Sequence, residues 1–141
     1  MEGGRYMIHI AYRVESSTTH GIGLFATQSI SRGDLIYTPT PLLDVDITKQ
    51  QFDQLSDMEK KEVVYYGYFH KKTQRWHVAF DAIRVLNHAS SGVANVTQDE
   101  DMVMIAVRDI AEGEELLQDY GELFSSEDEH FMRIHTPKPL N

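Results

Sequence analysis

Residues 26–34 read Ala-Thr-Gln-Ser-Ile-Ser-Arg-Gly-Asp, and residues 106–114 read Ala-Val-Arg-Asp-Ile-Ala-Glu-Gly-Glu. Ala26, Ile30, Gly33 and Asp34 thus return 80 positions later as Ala106, Ile110, Gly113 and Glu114. Each stretch has the form strand, turn, strand. A small and a branched apolar residue can be buried, a glycine stands where the turn needs positive φ, and an acidic residue opens the next strand. The echo predicts two similar β-arches inside one layered β fold; two copies are too few for a solenoid.

Working outward, Ile8, Ile10, Tyr12 and Val14 alternate with His9, Ala11 and Arg13, the period of a strand with one buried face. After a polar loop comes His20-Gly21-Ile22-Gly23-Leu24-Phe25-Ala26, where two glycines bracket an apolar residue before a strand-like run. Such a pair fits a sharp turn or a close backbone approach. Between 48 and 69 the pattern turns helical. Thr48 with Gln51, and Ser56 with Glu59, each fit a capping box, which predicts two short helices. Phe52 with Leu55, and Val63 with Val64 and Tyr66, would supply their apolar stripes. Strand composition returns with Trp76, Val78, Phe80 and Val85 and with the run 102–107. The tail 125–141 carries two prolines and an acidic cluster, and is expected to be flexible or ordered by a ligand. The expected fold is mostly β with a short helical insert.

Composition narrows the chemistry. The chain of 141 residues suits a single domain spanning 1–141 with its core at about 8–121. It has no cysteine, so disulfides, thiolate zinc sites and thiol nucleophiles are excluded. No apolar run approaches the roughly 20 residues of a membrane span, so no membrane partner is expected and the expected location is cytoplasmic, or nuclear in a eukaryote. A net charge of −9 argues against a grip on nucleic-acid phosphates and favours a basic partner. Asp44 and Asp46 lack the glycine and terminal glutamate of a calcium loop. The histidines show no pair at helical metal spacing, and His70 and His77 read as exposed residues flanking a turn at 71–74. No metal site is expected.

Three segments carry the functional signal: Gly21-Ile22-Gly23; Arg84-Val85-Leu86-Asn87-His88; and Gly113-Glu114-Glu115-Leu116-Leu117-Gln118-Asp119-Tyr120-Gly121. In order and spacing they resemble the SET-domain protein-lysine methyltransferases, whose motifs are Gly-x-Gly, Arg-Phe-x-Asn-His-Ser and Gly-Glu-Glu-Leu-x-x-Asp-Tyr-Gly. The resemblance spans most of the chain and extends to Phe80, Asp81 and Ala82. Val85 stands where the family has Phe, Ala89 where it has Ser and Ser90 where it has Cys, while Asn95 lies two residues later than the family's second Asn. Without cysteine in these 141 residues no zinc flank is expected to complete the substrate channel; Phe124 and Phe131 are candidates to close it.

The resemblance implies small curled sheets with a C-terminal pseudoknot, and methyl transfer from S-adenosyl-L-methionine (SAM) to a lysine amine of a protein substrate, with S-adenosyl-L-homocysteine as product. It assigns cofactor binding to Gly21, Ile22, Gly23, Arg84, Asn87, His88 and Tyr120, and catalysis to Tyr120. An in-line displacement of this kind gains most from orientation and fixed dipoles, and needs no metal or covalent nucleophile. The lysine channel calls for aromatic walls. Tyr65, Tyr66, Tyr68 and Phe69 are the candidates, with Tyr66 favoured. The expected partner is a lysine-bearing protein or peptide, its basic segment attracted by Glu114, Glu115, Asp119 and Glu122; homodimer formation is left open. The alternative is a SET-fold interaction module without turnover.

Overall fold

A computed structural model describes residues 7–90 and 92–119. Its elements, in chain order, are β1 (Met7–Ile8), β2 (Tyr12–Ser16), β3 (Ile22–Ala26), β4 (Leu35–Thr38), β5 (Val45–Thr48), α1 (Lys49–Asp53), α2 (Asp57–Tyr66), β6 (Tyr68–His70) and β7 (Arg75–Val78). A 3-10 turn (Ala82–Val85) comes next, then β8 (Asn87–His88), β9 (Val96–Gln98), β10 (Met104–Ala106) and β11 (Leu117–Gln118). The fold is mostly β, as expected. The strands form three small sheets: six strands in the order β1-β4-β10-β9-β11-β8, the hairpin β2-β3, and β5-β7-β6.

The two arches meet each other. Ile30 and Ile110 exchange both backbone hydrogen bonds at 2.8 Å. Gly33 N–H donates to Ala106 O while Ala106 N–H donates to Asp34 O, and the same pair of bonds recurs with Gly113, Ala26 and Glu114. Gly33 (φ 87°) and Gly113 (φ 89°) both hold the left-handed conformation that the turns require. Ala26, Ile30, Ala106 and Ile110 are buried, and with Leu24, Ile36, Leu116 and Val96 they form the core. Fully burying a side chain the size of leucine or isoleucine contributes about 1.5–3 kcal/mol, so this cluster is the main source of stability.

Strand β11 lies between β8 and β9 and runs parallel to both. The strands on either side of β11 are consecutive in the chain, so the segment after the second arch is inserted between them, the strand order expected of the pseudoknot. Asn95, fully buried, fixes the crossing: Nδ2 donates to Glu115 O at 2.8 Å, and Oδ1 accepts from Leu117 N–H at 2.8 Å.

Both capping boxes form, at Thr48–Gln51 and Ser56–Glu59. Four sequence expectations change. The first strand is broken, because residues 9–11 carry the chain from the large sheet to the hairpin; Ile8, Ile10 and Tyr12 still pack on the core, whereas Val14 is exposed. Val85 ends a 3-10 turn that Asp81 caps through Ile83 N–H. Helix α2 buries none of its residues, so its apolar stripe is not core. His70 and His77 do flank the turn 71–74, but both are buried.

His77 is buried because β7 is the middle strand of its sheet, whereas His70, at the end of the edge strand β6, is enclosed by Thr73, whose hydroxyl lies 2.9 Å from Nδ1, and by Glu100, whose carbonyl lies 2.6 Å from Nε2. Trp76 faces α1 and stacks on Phe52 with centroids 5.0 Å apart, while His77 faces the large sheet. His77 Nδ1 lies 2.8 Å from Asp46 Oδ1, and its Nε2 lies 3.3 Å from Asp44 Oδ2 and 3.2 Å from the Tyr37 hydroxyl. Asp44 also accepts from Tyr37 O–H at 2.5 Å and from the N–H groups of Thr40 and Phe80. These carboxylates tie the insert to the large sheet. Burial and the neighbouring Asp44 raise the Tyr37 phenol well above its ordinary range.

Candidate cofactor site

The loop after β2 is shaped by Ser17. Its hydroxyl accepts from Thr19 N–H at 2.9 Å and its backbone N–H donates to Gly21 O at 2.9 Å, closing a tight turn in which Gly21 has φ 34°. The same hydroxyl donates to the carboxylate of Glu115, 2.8 Å away. Strand β8 is placed beside this loop by the capped 3-10 turn before it and by its pairing with β11, which sets Leu117 opposite Asn87 and Gln118 opposite His88.

Asn87 is the joint between these parts. Its Nδ2 lies 3.1 Å from His20 O, 3.0 Å from Ile22 O and 2.8 Å from Glu115 Oε2. Three oxygens around one atom identify it as the nitrogen and fix the amide orientation. Oδ1 accepts no hydrogen bond among the described residues. Gly23 is buried beneath this arrangement: a Cβ there would lie 2.2 Å from Glu115 Oε2 and 3.1 Å from Asn87 Nδ2. The second glycine therefore serves a close approach by two side chains, and the first serves the turn.

Of the residues anticipated from sequence, Gly21, Ile22, Gly23, Asn87 and, through β11, His88 are brought together. Ile22 is 52% exposed, so the loop presents an apolar side chain at the surface beside its polar groups. Arg84 is exposed and holds its guanidinium 5.2 Å from the centre of the Tyr66 ring, a cation–π contact that ties the end of α2 to the 3-10 turn. Tyr65 packs edge-on against Tyr66 at 4.7 Å. Tyr68 and Phe69 diverge onto opposite faces of β6. The Phe69 ring packs against Trp76 of β7 (5.6 Å), whereas the Tyr68 hydroxyl turns to the large sheet and accepts from Gln98 Nε2 at 2.5 Å. Gln98 Oε1 in turn accepts from Gln118 Nε2 at 3.0 Å. Burial raises the Tyr68 phenol well above its ordinary range, so it stays neutral. Tyr120, Gly121, Glu122, Phe124, Phe131 and the tail 125–141 lie outside the described residues.

Sequence reasoning missed Ser17, Glu115 as a site residue, Asn95, Gln98 and Gln118. For Glu115 a signal existed. Successive residues of an extended segment point to opposite sides, so Glu114 and Glu115 are expected to meet different partners. Glu114 returns to its own arch, accepting from Ala111 N–H at 3.0 Å and pairing with Arg108 at 2.6 Å, which holds its carboxyl below the usual range. Glu115 faces Gly23 and Asn87. Both are therefore engaged within the protein, Glu114 with a cation and Glu115 with neutral donors.

The sequence matches the model of the SET domain over residues 21–121, a span that runs from the first glycine of the loop to the last residue of the third motif. N-lysine methyltransferase KMT5A of Xenopus tropicalis is 27% identical over 124 residues; the match covers 78% of this chain and about a third (36%) of that protein's length. Among solved structures, the fold is similar to that of CpSET8 from Cryptosporidium (TM-score 0.59, 22% identity, 80% of this chain and 58% of that one). It is likewise similar to the Neurospora SET domain protein DIM-5, a histone lysine methyltransferase (TM-score 0.59, 18% identity, 85% and 55%). A third similar structure is ctPRC2 in an autoinhibited conformation bound to S-adenosylmethionine (TM-score 0.59, 20% identity, 91% and 17%). With the matched span covering both glycines, the Asn-His pair and the final motif, this chain belongs to the SET domain family.

Proposed function

We propose that the chain binds SAM at the loop 20–23 and transfers its methyl group to lysine side chains of a protein. The observation that carries this reading is the convergence of the loop, Asn87 and β11 within a SET domain. Two polar atoms support the fit. Asn87 Oδ1 is left to accept from a ligand, and His20 Nδ1 is buried with no partner among the described residues, although a buried polar atom left unmade costs about 1–3 kcal/mol. An ammonium donor suits the first atom, and an amino-acid moiety offers partners of both kinds.

When bound, SAM supplies an activated, electrophilic methyl group. The chain's own part is orientation: Gly21, Ile22, Gly23, Asn87 and His88 hold the ligand, and Arg84 fixes Tyr66 at the insert. Tyr66 and Tyr68 supply electron-rich rings for the lysine channel, with Phe69 serving the insert core and Tyr65 bracing Tyr66. Tyr120 is proposed to align amine and methyl through its hydroxyl. A lysine amine titrates at about 10.4 in water, so few copies carry a free lone pair at neutral pH, and desolvation in an aromatic channel lowers that value. The turnover rate is expected to rise toward alkaline pH.

The test is transfer of radiolabelled methyl from SAM to lysates and lysine-rich peptides, with modified lysines located by mass spectrometry. Methyllysine formed by the wild-type protein and reduced about a hundredfold by Tyr120→Phe is expected. Retained SAM binding with no methyllysine on any substrate would favour the interaction-module reading.

A further inference from the structure

We propose that Glu115 is a positioning residue of the cofactor site, and that Gly23 is a glycine in order to admit it. The inference rests on the SAM-binding reading but concerns how this chain builds its site. Asn87 cannot orient its own amide, since a rotation of 180° exchanges Oδ1 and Nδ2 at nearly equal shape. His20 O and Ile22 O favour nitrogen on the loop side, and the Glu115 carboxylate adds a charge-assisted bond at 2.8 Å. Glu115 is itself held in place from the other side by the Ser17 hydroxyl, at 2.8 and 3.0 Å to its two oxygens. The chain Ser17, Glu115, Asn87 thus joins the loop, β8 and the segment entering β11, and leaves Oδ1 pointing away from all three.

Glu115 can reach this position only over a residue without a side chain. A Cβ at 23 would meet Glu115 Oε2 at 2.2 Å and Cδ at 2.9 Å, distances at which the carboxylate must leave. Gly23 has no left-handed φ, unlike Gly21, so backbone conformation does not demand glycine there. The closest demand comes from Glu115, with Asn87 Nδ2 a looser second at 3.1 Å.

The test is a double-mutant cycle on SAM affinity by calorimetry, using Gly23→Ala, Glu115→Ala and the two together, with circular dichroism to verify folding. Each single change is expected to weaken SAM at least about tenfold, while Gly23→Ala in the Glu115→Ala background should cost less than about threefold more, because the two closest atoms are gone and only the looser 3.1 Å approach of Asn87 Nδ2 remains. Additive losses would overturn the proposal, assigning Gly23 to direct contact with the ligand. A ligand-free readout stands beside it. In protein labelled at asparagine side chains, Glu115→Gln should move the Asn87 amide proton resonances, and unmoved resonances would also overturn it. Failure of the underlying reading looks different: the wild-type protein itself would bind no SAM, with the amide resonances still sensitive to Glu115→Gln.

Discussion

The two arches are nearly the same structure used for different ends. Arch 26–34 and arch 106–114 share a reciprocal Ile30–Ile110 pair, matched glycine turns and matched acidic caps, with Asp34 accepting from Ser31 N–H at 2.9 Å and Glu114 from Ala111 N–H at 3.0 Å. They differ in the segments they lead into. After Asp34 the chain enters β4, which pairs antiparallel with β1 and β10. After Glu114 it presents Glu115 to Asn87 and then runs as β11 between β8 and β9. The arches are therefore scaffold, and the site grows from the flank of one of them. Substitutions within the shared pattern should cost stability equally in both copies, and substitutions on the flank should separate the two.

The largest effect is expected at the shared pair. Ile30→Ala and Ile110→Ala each remove a buried side chain and should each cost about 2–5 kcal/mol, with the two values close to each other. Denaturant titration measures this, and a much smaller loss for one would break the symmetry. Next comes Asn95→Ala, which touches only the second arch. It strands Leu117 N–H and Glu115 O at a fully buried position, for a loss of about 2 kcal/mol, and should also weaken SAM binding because β11 and Glu115 move together. A stability loss with unchanged SAM affinity would uncouple the crossing from the site.

A smaller pair of effects belongs to the turns. Gly33→Ala and Gly113→Ala place a Cβ in open space but at φ near +90°, so each should cost about 1 kcal/mol, or about 2 to 4 °C in melting temperature. The smallest effect concerns Glu114. Arg108 depresses its folded-state pKa, so its contribution is complete above the unfolded carboxyl value of about 4.3 and is lost as pH falls through the folded value. The pair is partly solvated and worth under about 1 kcal/mol. Glu114→Gln should flatten the stability-pH curve below pH of about 4.3 and leave the neutral range nearly unchanged. A curve as steep as that of the wild-type protein would remove the ion pair from the account.

The sequence made the arches legible because both copies need the same chemistry at the same offsets, and the helix starts legible because a capping box is local. Asn87 and the glycines were legible through motif spacing. The Ser17–Glu115–Asn87 chain was not, since its members lie 98 and 28 positions apart and meet only once β11 is threaded between β8 and β9. His70 and His77 misled because residues flanking a turn are ordinarily solvated, whereas His77 sits on the middle strand of its sheet against Tyr37 and Asp44, and His70 is covered by the distant residue Glu100.

The central claim, that the loop 20–23 and Asn87 form a SAM site, is tested most directly by calorimetric titration of the wild-type protein with SAM, run beside Asn87→Ala. The account predicts one SAM per chain, a melting temperature raised by about 5 to 10 °C at a hundredfold excess over Kd, and loss of most of both in the folded variant. No heat and an unmoved melting curve in the wild-type protein, or equal binding by Asn87→Ala, would contradict it.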